Sequence, residues 1–405
     1  MKPQRQNVLE GGLTISRRRL TRPMTRLQNS LLLPDDLIFE IFSRLPSKSI
    51  ARCRCVSKLW SSMLRRQEFT ELFLTKSCAR LQLLFAFRVN GEVVFFSSPQ
   101  PENPEENSYV VATNHLARSP YYFGNYGCST NGFFCDKAER IWKEQKNPVC
   151  APVICNPNTG QSLTLPILIS RKRYGVQSYL GYDPVSKQLK LLSMKDSRGC
   201  ETISVEHQVL TLGTKNLSWR LVECCIPHYF SDKWICISGV LYYAAKANDS
   251  SPYSMVACFD LRSEKFSFVK LMETFNRAME VLSMVNYNGK LGLFLSRDDS
   301  GDVTPASTSF ELWVLQDAAK HVWSKNVYML PALWKDVVAE RMRIVEMVGT
   351  NVTVLSPSLP KGPAYVIYYN VERKTITKVG IQGMEAYQGK SFRTCLNYVE
   401  NVEIL

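Results

Sequence analysis

The chain has 405 residues, of which 45% are hydrophobic and 21% charged, an ordinary composition for a globular protein with a sizeable core. This length exceeds that of one average domain and predicts a small module beside one large domain. The formal net charge is +14, but residues 1–28 supply six of these charges, so the basic balance says little about the remaining chain. No apolar run approaches the roughly 18 residues of a membrane-spanning helix, and none is predicted.

Residues 1–28 form a basic leader with seven Lys or Arg residues against Glu10 alone. The leader has no apolar run of about seven residues or more, which excludes a secretory signal. We interpret it as a disordered arm. A nuclear-import patch, a weak nucleic-acid contact and a transit peptide remain as alternatives.

Thirteen cysteines are scattered through the chain, mostly inside apolar runs. In such runs a free cysteine behaves as a small buried hydrophobe. Without a secretory signal, this pattern predicts a reducing compartment, the nucleus or the cytoplasm.

Residues 31–69 contain three helix signals. Pro34 suits the first turn of a helix, and Leu37, Ile41 and Leu45 then recur every four residues as one apolar stripe. Pro46 is expected to end this helix.

A second helix is predicted to start at Ser47, as its N-cap, with Ile50, Cys53 and Val56 on the apolar face. The run Lys58-Leu59-Trp60 opens a third. Three helices this short bury too little surface to be stable alone, so they need either the rest of the chain or another protein.

The order LP-x-DL-x-x-EI-x-x-RLP-x-KS-I-x-R-x-RCVSK-x-W resembles the F-box, which docks substrate receptors onto the Skp adaptor of cullin-RING ubiquitin ligases. The resemblance implies an F-box at residues 29–75, with a Skp-type adaptor and, through it, a cullin as partners. Some residues of the motif must also hold the helices together, and the sequence cannot separate the two roles. By position in the motif, the implied adaptor-binding residues are Leu33, Pro34, Leu37, Ile41, Leu45, Pro46, Ile50, Val56 and Trp60.

After about residue 80 the helical period disappears, and short apolar runs alternate with turn residues. Asn90-Gly91 and Asn288-Gly289 each separate two apolar runs and predict hairpins with type I′ turns. Residues 97–108 are rich in Pro and Glu and predict an exposed loop.

Two turn elements recur along residues 80–405. One is a Gly before an apolar run, and the other is an Asp or Asn that ends one, 21 to 28 residues later. Two hairpins per ~50 residues make a four-stranded blade, the unit of a β-propeller, which we favour over a β-sandwich. Asp183 and the runs after it fit blades between the first and second copies. The recurring residues are Gly132, Gly239, Gly289 and Gly349, with Asn156, Asp260, Asp317 and Asn370.

The runs LLFAF near residue 83, NPNTG-x-x-x-x-LP at 156–166 and YDP at 182–184 resemble the kelch-like F-box-associated domain of plant F-box proteins. The usual Gly-Leu-Leu-Cys run of that family is altered here to Gly132-Phe133-Phe134-Cys135. The combined expectation is an α+β multi-domain protein, in which a three-helix F-box precedes an all-β, kelch-like propeller.

No catalytic motif is recognisable in the sequence, and no catalytic residue is predicted. Cys224, Cys225 and His228 come nearest to a metal cluster, but zinc normally needs four well-spaced ligands, so neither a metal nor a cofactor is expected. His207 is predicted to face solvent or to be hydrogen-bonded in the core. The aromatic run Tyr121–Tyr126 and Trp234 are interpreted as blade packing, with a ligand-binding face as the alternative.

These patterns favour a non-catalytic substrate receptor of a Skp–cullin–F-box ubiquitin ligase that bridges the adaptor and a target protein. The alternative is a propeller scaffold that binds RNA or nuclear partners, with the F-box used only for assembly. No membrane partner is expected and nucleic acid is disfavoured. The sequence names neither the target nor the residues that bind it.

Overall fold

A computed structural model describes most of the chain, and no helix in this described part is long and apolar enough to cross a membrane. The basic leader and the aromatic run at 121–126, both subjects of sequence predictions, lie outside the described residues. The described ranges are 33–106, 109–112, 114–119, 129–140, 149–168, 175–196, 206–214, 216–247, 255–271, 283–296, 302–390 and 392–404.

Four helices form the N-terminal part, here called the helical unit (residues 33–80). They are α1 (Asp35–Ser43), α2 (Ser47–Val56), α3 (Lys58–Met63) and α4 (Gln67–Cys78). The three predicted helices are present, and α4 was not predicted. It contributes Phe69 and Phe73, both fully buried, to the core of the unit. The other buried apolar residues of this core are Phe39, Phe42, Ile50, Met63, Leu64 and, from the far end of the chain, Val402.

The prediction that Ser47 caps α2 is wrong. Pro46 holds the N-cap position, and Ser47 is the first helical residue, without a side-chain capping bond. Its hydroxyl instead donates to Glu400 Oε1 at 2.6 Å, since a buried carboxylate is the stronger acceptor. Ser57 is a true N-cap, because its hydroxyl accepts from the backbone N–H of Trp60 at 3.1 Å.

The rest of the described chain forms a β-propeller, as predicted, and its sheets make six blades, a number that the sequence did not predict. Blade 1 contains β1 (Gln82–Val89), β2 (Glu92–Pro99), β4 (Asn114–Ser119) and the C-terminal strand β24 (Phe392–Tyr398). The described part of blade 2 contains β5 (Phe134–Arg140), β6 (Val149–Asn156) and β7 (Gln161–Thr164). Blade 3 contains β8 (Gly175–Asp183), β9 (Gln188–Asp196), β10 (His207–Thr211) and β11 (Arg220–Val222).

Blades 4 to 6 follow the same up-and-down order. Blade 4 contains β12 (Tyr229–Ile237), β13 (Val240–Lys246), β14 (Met255–Asp260) and β15 (Lys265–Lys270). Blade 5 contains β16 (Ser283–Tyr287), β17 (Lys290–Ser296), β18 (Ser309–Asp317) and β19 (Val322–Met329). The short helix α5 (Trp334–Val337) leads to blade 6, which contains β20 (Met342–Val348), β21 (Val352–Pro357), β22 (Tyr365–Asn370), β23 (Thr375–Gln382) and the added strand β3 (Tyr109–Val111).

The two ends of the propeller close on each other. Strand β1 pairs with β24 in antiparallel register, with Gln82 opposite Tyr398. Strand β3 pairs in parallel with β23, with Tyr109 opposite Gly380. The ring therefore depends on contacts between the first and last propeller segments, as the sequence predicted.

The geometry and the hydrogen bonds of the turns explain why the same residue types recur there. Asn90 and Gly91 have φ values of 52° and 84°, and Asn288 and Gly289 have 48° and 81°, so both predicted hairpins have type I′ geometry. The recurring acids and amides accept backbone N–H bonds in their own turns, as Asp260 Oδ1 does from Ser263 at 2.6 Å. Equivalent bonds form at Asn156, Asp183, Asp317 and Asn370.

The predicted loop at 97–108 begins later than expected. Ser97 and Ser98 are fully buried in β2, where they continue the strand. Residues 107 and 108 lie outside the described part. Trp234 is buried beside Tyr179, at 5.5 Å between ring centroids, so it packs in the core as interpreted, and it also lines a cavity described below.

Candidate functional site

Helix α1 is apolar on both of its faces. Phe39 and Phe42 point into the core of the helical unit, whereas Leu37 and Ile41 remain 49% and 52% exposed on the other side. Leu33 and Pro34 continue this exposed row at the start of α1. Contiguous apolar exposure is uncommon on soluble proteins and indicates a docking surface.

Two further apolar side chains are exposed where α2 meets α3. Val56 is 67% exposed and Leu59 is 52% exposed. Leu59 was missed because it occupies a variable position of the recognised motif. We call these six residues the apolar face: Leu33, Pro34, Leu37, Ile41, Val56 and Leu59.

The structure shows which of the predicted adaptor-binding residues are buried in the helical unit and which are exposed. Ile50 is fully buried, so its assignment to a contact surface is corrected to a core position. Leu45 and Trp60 are partly buried and pack against the core, where the Trp60 ring meets Phe42 edge-on at 5.0 Å. Pro46 is exposed between α1 and α2.

A network of buried hydrogen bonds joins the helical unit to the propeller. The hydroxyl of Ser47 donates to Glu400, and Asn158 Nδ2 donates to the same hydroxyl oxygen at 3.1 Å. Asn158 Oδ1 in turn accepts from the Tyr398 hydroxyl at 2.6 Å and from the Asn401 backbone N–H at 3.1 Å. We call these five residues the junction. Because its polar groups are paired inside the protein, the junction fixes one orientation of the helical unit.

Further contacts support the junction on both sides. Val402, just beyond it, is buried in the core of the helical unit. Inside the helical unit, its last residue Arg80 donates to the backbone oxygens of Ser43 and Arg44 at 2.9 and 2.6 Å, which ties the start of the propeller segment to the end of α1. A crevice of about 690 Å³ separates α4 from the turns of blades 2 and 3. Lys187 bridges it to Glu71 at 2.7 Å, and this hydrogen bond lowers the pKa of Glu71.

A second cavity, of about 250 Å³, lies along the propeller axis between β12, β16, β20 and β24. We call it the central channel. Three cationic side chains line it, Lys233, Arg343 and Arg393, together with Asp232 and Glu346. The sequence did not predict this cluster, because its members come from strands far apart in the chain.

Burial dominates the electrostatics of the central channel. It lowers the pKa of Arg343 to about 10, and the nearby Arg393 acts in the same direction. It also lowers the pKa of Lys233, with Arg393 and Arg343 adding to the effect. Burial raises the pKa of Glu346 to about 7, although backbone N–H groups of Met347 and Asn286 oppose this change. The channel therefore holds charges at a free-energy cost.

In the part of the chain that the structure describes, the residues nearest to a metal site are His207, Cys224 and His228, with one potential ligand atom each, all within 4.8 Å of one another. His207 takes the place that the sequence gave to Cys225, which is exposed. The prediction for His207 itself is wrong, because the side chain is fully buried and neither ring nitrogen is hydrogen-bonded. Burial lowers its pKa to about 3, with a smaller effect of His228, so the ring is neutral.

The geometry of this cluster does not suit zinc. The His207 and His228 rings stack at 5.0 Å and 28°, so their in-plane lone pairs run side by side and do not converge on one point. His228 Nδ1 lies 2.7 Å from the Ile226 carbonyl and must donate to it, while Nε2 accepts from the Tyr243 hydroxyl at 2.7 Å. Among the described residues only these three potential ligands are present, whereas structural zinc sites use four.

Cys224 is not an activated nucleophile either. Its Sγ lies 3.8 Å from His228 Nδ1, a nitrogen that already carries a proton for Ile226. Burial raises the pKa of the Cys224 thiol, which disfavours the reactive thiolate. This pair therefore provides no base and no nucleophile.

Comparisons with known proteins agree with the two-part architecture. Residues 30–72 match the model of the F-box domain, and residues 82–401 match that of the F-box associated beta propeller domain. The F-box protein DOR of Arabidopsis thaliana is 46% identical over 408 residues, covering 100% of both chains. A putative F-box protein of the same plant is 47% identical over 408 residues, covering 99% of both.

Proposed function

Because the chain belongs to the family of F-box proteins with an F-box-associated β-propeller, we propose that it is the substrate-recognition subunit of a Skp–cullin–F-box ubiquitin ligase. The observation that carries this proposal is the apolar face of the helical unit. Its side chains are exposed although the same helices bury a complete core on their other side.

In this function the helical unit is the F-box, and its apolar face binds the Skp-type adaptor. Burial of one large apolar side chain contributes roughly 1.5–3 kcal/mol. The exposed Leu37 and Ile41 together therefore provide enough free energy to change an adaptor affinity by more than tenfold.

The protein itself performs no bond chemistry in this proposal. It holds a target near the ubiquitin-charged enzyme and so raises the effective concentration of the reacting groups. The junction supports this role, because a fixed orientation between F-box and propeller keeps a bound target at a constant position. The free cysteines suit the reducing nucleus or cytoplasm, where we expect the complex to work.

The test is co-precipitation of a recombinant Skp-type adaptor with the full chain. The double variant Leu37→Ala/Ile41→Ala should retain less than a tenth of the wild-type affinity, by the burial energy given above. Val322→Ala/Val327→Ala is the matched control, since both valines are 45% exposed on the outer strand β19. Adaptor binding at wild-type strength by the first variant would refute the proposal.

A further inference from the structure

The cationic end of the central channel faces away from the F-box. Strand β24 runs from Phe392 to Tyr398, and the residues that follow it contact Ser47. Strand β8 ends on the same side, in the turn whose Lys187 pairs with Glu71. Arg393 is the second residue of β24 and therefore stands at the opposite end of the channel.

Arg343 and Lys233 meet Arg393 at this end. Arg343 is the second residue of β20, which runs beside β16 in the same direction, because Ser283 bonds to Ile344 and the later Asn286 bonds to the later Glu346. Lys233 lies where the pairing of β12 with β13 is interrupted between Phe230 and Trp234. Such bulges re-aim side chains and are common next to binding sites.

Two of the three cations, Lys233 and Arg343, are not neutralised by ion pairs within the described residues. Among the described residues, neither Lys233 nor Arg343 has a carboxylate within 4.0 Å. The nearby acids are Asp232, Asp302 and Glu346. Asp302 accepts a hydrogen bond from Ser358 at 2.7 Å, and Glu346 accepts from two backbone N–H groups.

Neutral donors complete the lining. The hydroxyls of Ser356 and Thr394 share a buried hydrogen bond of 3.0 Å on the wall of the same cavity. An anion between them and the cations would gain charge-assisted hydrogen bonds, which are roughly twice as strong as neutral ones.

The size of the cavity limits the ligand. At about 250 Å³ the channel is smaller than the roughly 300–1,000 Å³ of pockets that enclose small molecules. The channel volume is enough for one amino-acid side chain. Asp232 is exposed and the three cations are partly exposed, so the site is open to an incoming chain.

We propose that this end of the central channel binds one anionic side chain of the target polypeptide, a carboxylate or a phosphoryl group. The proposal rests on the substrate-receptor function and deepens it by giving the target a chemical class. The anion would place an opposite charge beside cations that are costly to keep charged, first because they are buried and second because they repel one another.

Capped amino acids are suitable probes, because they present the side chain of a polypeptide without the rest of a target. The full chain would be titrated with N-acetyl-phosphoserine amide, N-acetyl-glutamate amide, N-acetyl-glutamine amide and inorganic phosphate, with saturation-transfer NMR as the readout. The two capped anions should bind and the glutamine analogue should not. Arg343→Gln and Lys233→Gln should each weaken binding roughly tenfold, as expected for a lost charge-assisted bond.

Arg373→Gln is the matched control. It removes the same charge from the turn between β22 and β23, where Arg373 lies 3.7 Å from Glu105, and it should leave binding unchanged. Equal binding of the glutamate and glutamine probes, or unaltered affinity in both channel variants, would overturn the proposal. Tighter binding of inorganic phosphate than of capped phosphoserine would also overturn it, because the site would then serve a free anion.

Co-precipitation of the adaptor with the same protein samples shows whether a negative result counts against the channel proposal or against the receptor function. Loss of adaptor binding with intact probe binding would count against the receptor function alone. Intact adaptor binding without probe binding would count against the channel alone.

Discussion

The junction and the central channel are both polar regions inside the protein, but they treat their polar groups differently. In the junction, Asn158 has partners for both its amide oxygen and its nitrogen. In the channel, Lys233 and Arg343 form no ion pair within the described residues, and Glu346 has a raised pKa. A fully paired network stabilises one arrangement of the two domains, whereas partly buried charges without pairs reduce stability and indicate a binding role.

The largest effect should come from deleting strand β24, which carries residues of both the junction and the channel. Cutting the chain after Lys361 deletes β22, β23 and β24, so β1 loses its partner β24 and the ring cannot close. We expect an aggregating fragment without a cooperative melting transition. Light scattering and calorimetry would measure this. A soluble 80–361 fragment that melts cooperatively would show that the blades are independent.

Deletion of residues 1–28 is the control for this truncation. The leader precedes the first helix signal and has no apolar face, so its removal should leave both cooperative melting and adaptor binding intact.

The next largest effect tests the paired region. Asn158→Ala removes one of the two partners of Ser47 and the shared acceptor of Tyr398 and Asn401, and leaving buried groups unpaired costs about 1–3 kcal/mol each. Since lost bonds in one network are not additive, we expect a total loss of roughly 3 kcal/mol in the free energy of unfolding. Urea unfolding followed by tryptophan fluorescence measures it. The exposed Asn216→Ala is the control, and a loss as small as that of this control would mean that the junction contributes no stability.

In the channel, removing a charged group should raise the free energy of unfolding instead of lowering it. Glu346 has a pKa of about 7 in the folded protein against an ordinary 4.5, a difference equivalent to roughly 3 kcal/mol. Its contribution to stability is therefore complete below about pH 4.5 and is lost as the pH rises through about 7, because the unfolded state releases the proton first.

Replacing the Glu346 carboxyl with a neutral amide removes the pH dependence of its contribution to stability. Glu346→Gln keeps an oxygen for the N–H groups of Met347 and Asn286 and should be more stable than wild type at pH 8, by at most roughly 3 kcal/mol. At pH 4 the two proteins should unfold alike. The exposed Glu372→Gln provides the control. Parallel stability curves for wild type and Glu346→Gln across this range would show that Glu346 ionises normally in the folded protein.

The contrast also explains what the sequence could predict. Turns are local, so Asn90-Gly91 and Asn288-Gly289 were identified from two adjacent residues. The junction unites Ser47 with Asn158 and Glu400, which are separated by 111 and 353 positions. No local pattern carries such a contact, although Asn158 stands in a recognised motif.

The channel was missed for a related reason. Lys233, Arg343 and Arg393 come from three strands that are far apart in the chain, and a charged side chain in a strand normally faces solvent. A signal did exist, because all three lie in blade strands that border the propeller axis. It becomes readable only after the blades are assigned.

The smallest effect on the free energy of unfolding should come from changes in the apolar face, against which the effects in the junction and the channel can be compared. Leu37→Ala/Ile41→Ala truncates side chains that are about half exposed, so the free energy of unfolding should change by no more than about 0.5 kcal/mol. Ile50→Ala, on the buried side of the same helices, should cost roughly 2–5 kcal/mol. Urea unfolding of both variants measures the difference. If the surface pair cost as much as Ile50, then these residues would hold the F-box together, and any loss of adaptor binding would reflect unfolding and not a lost contact.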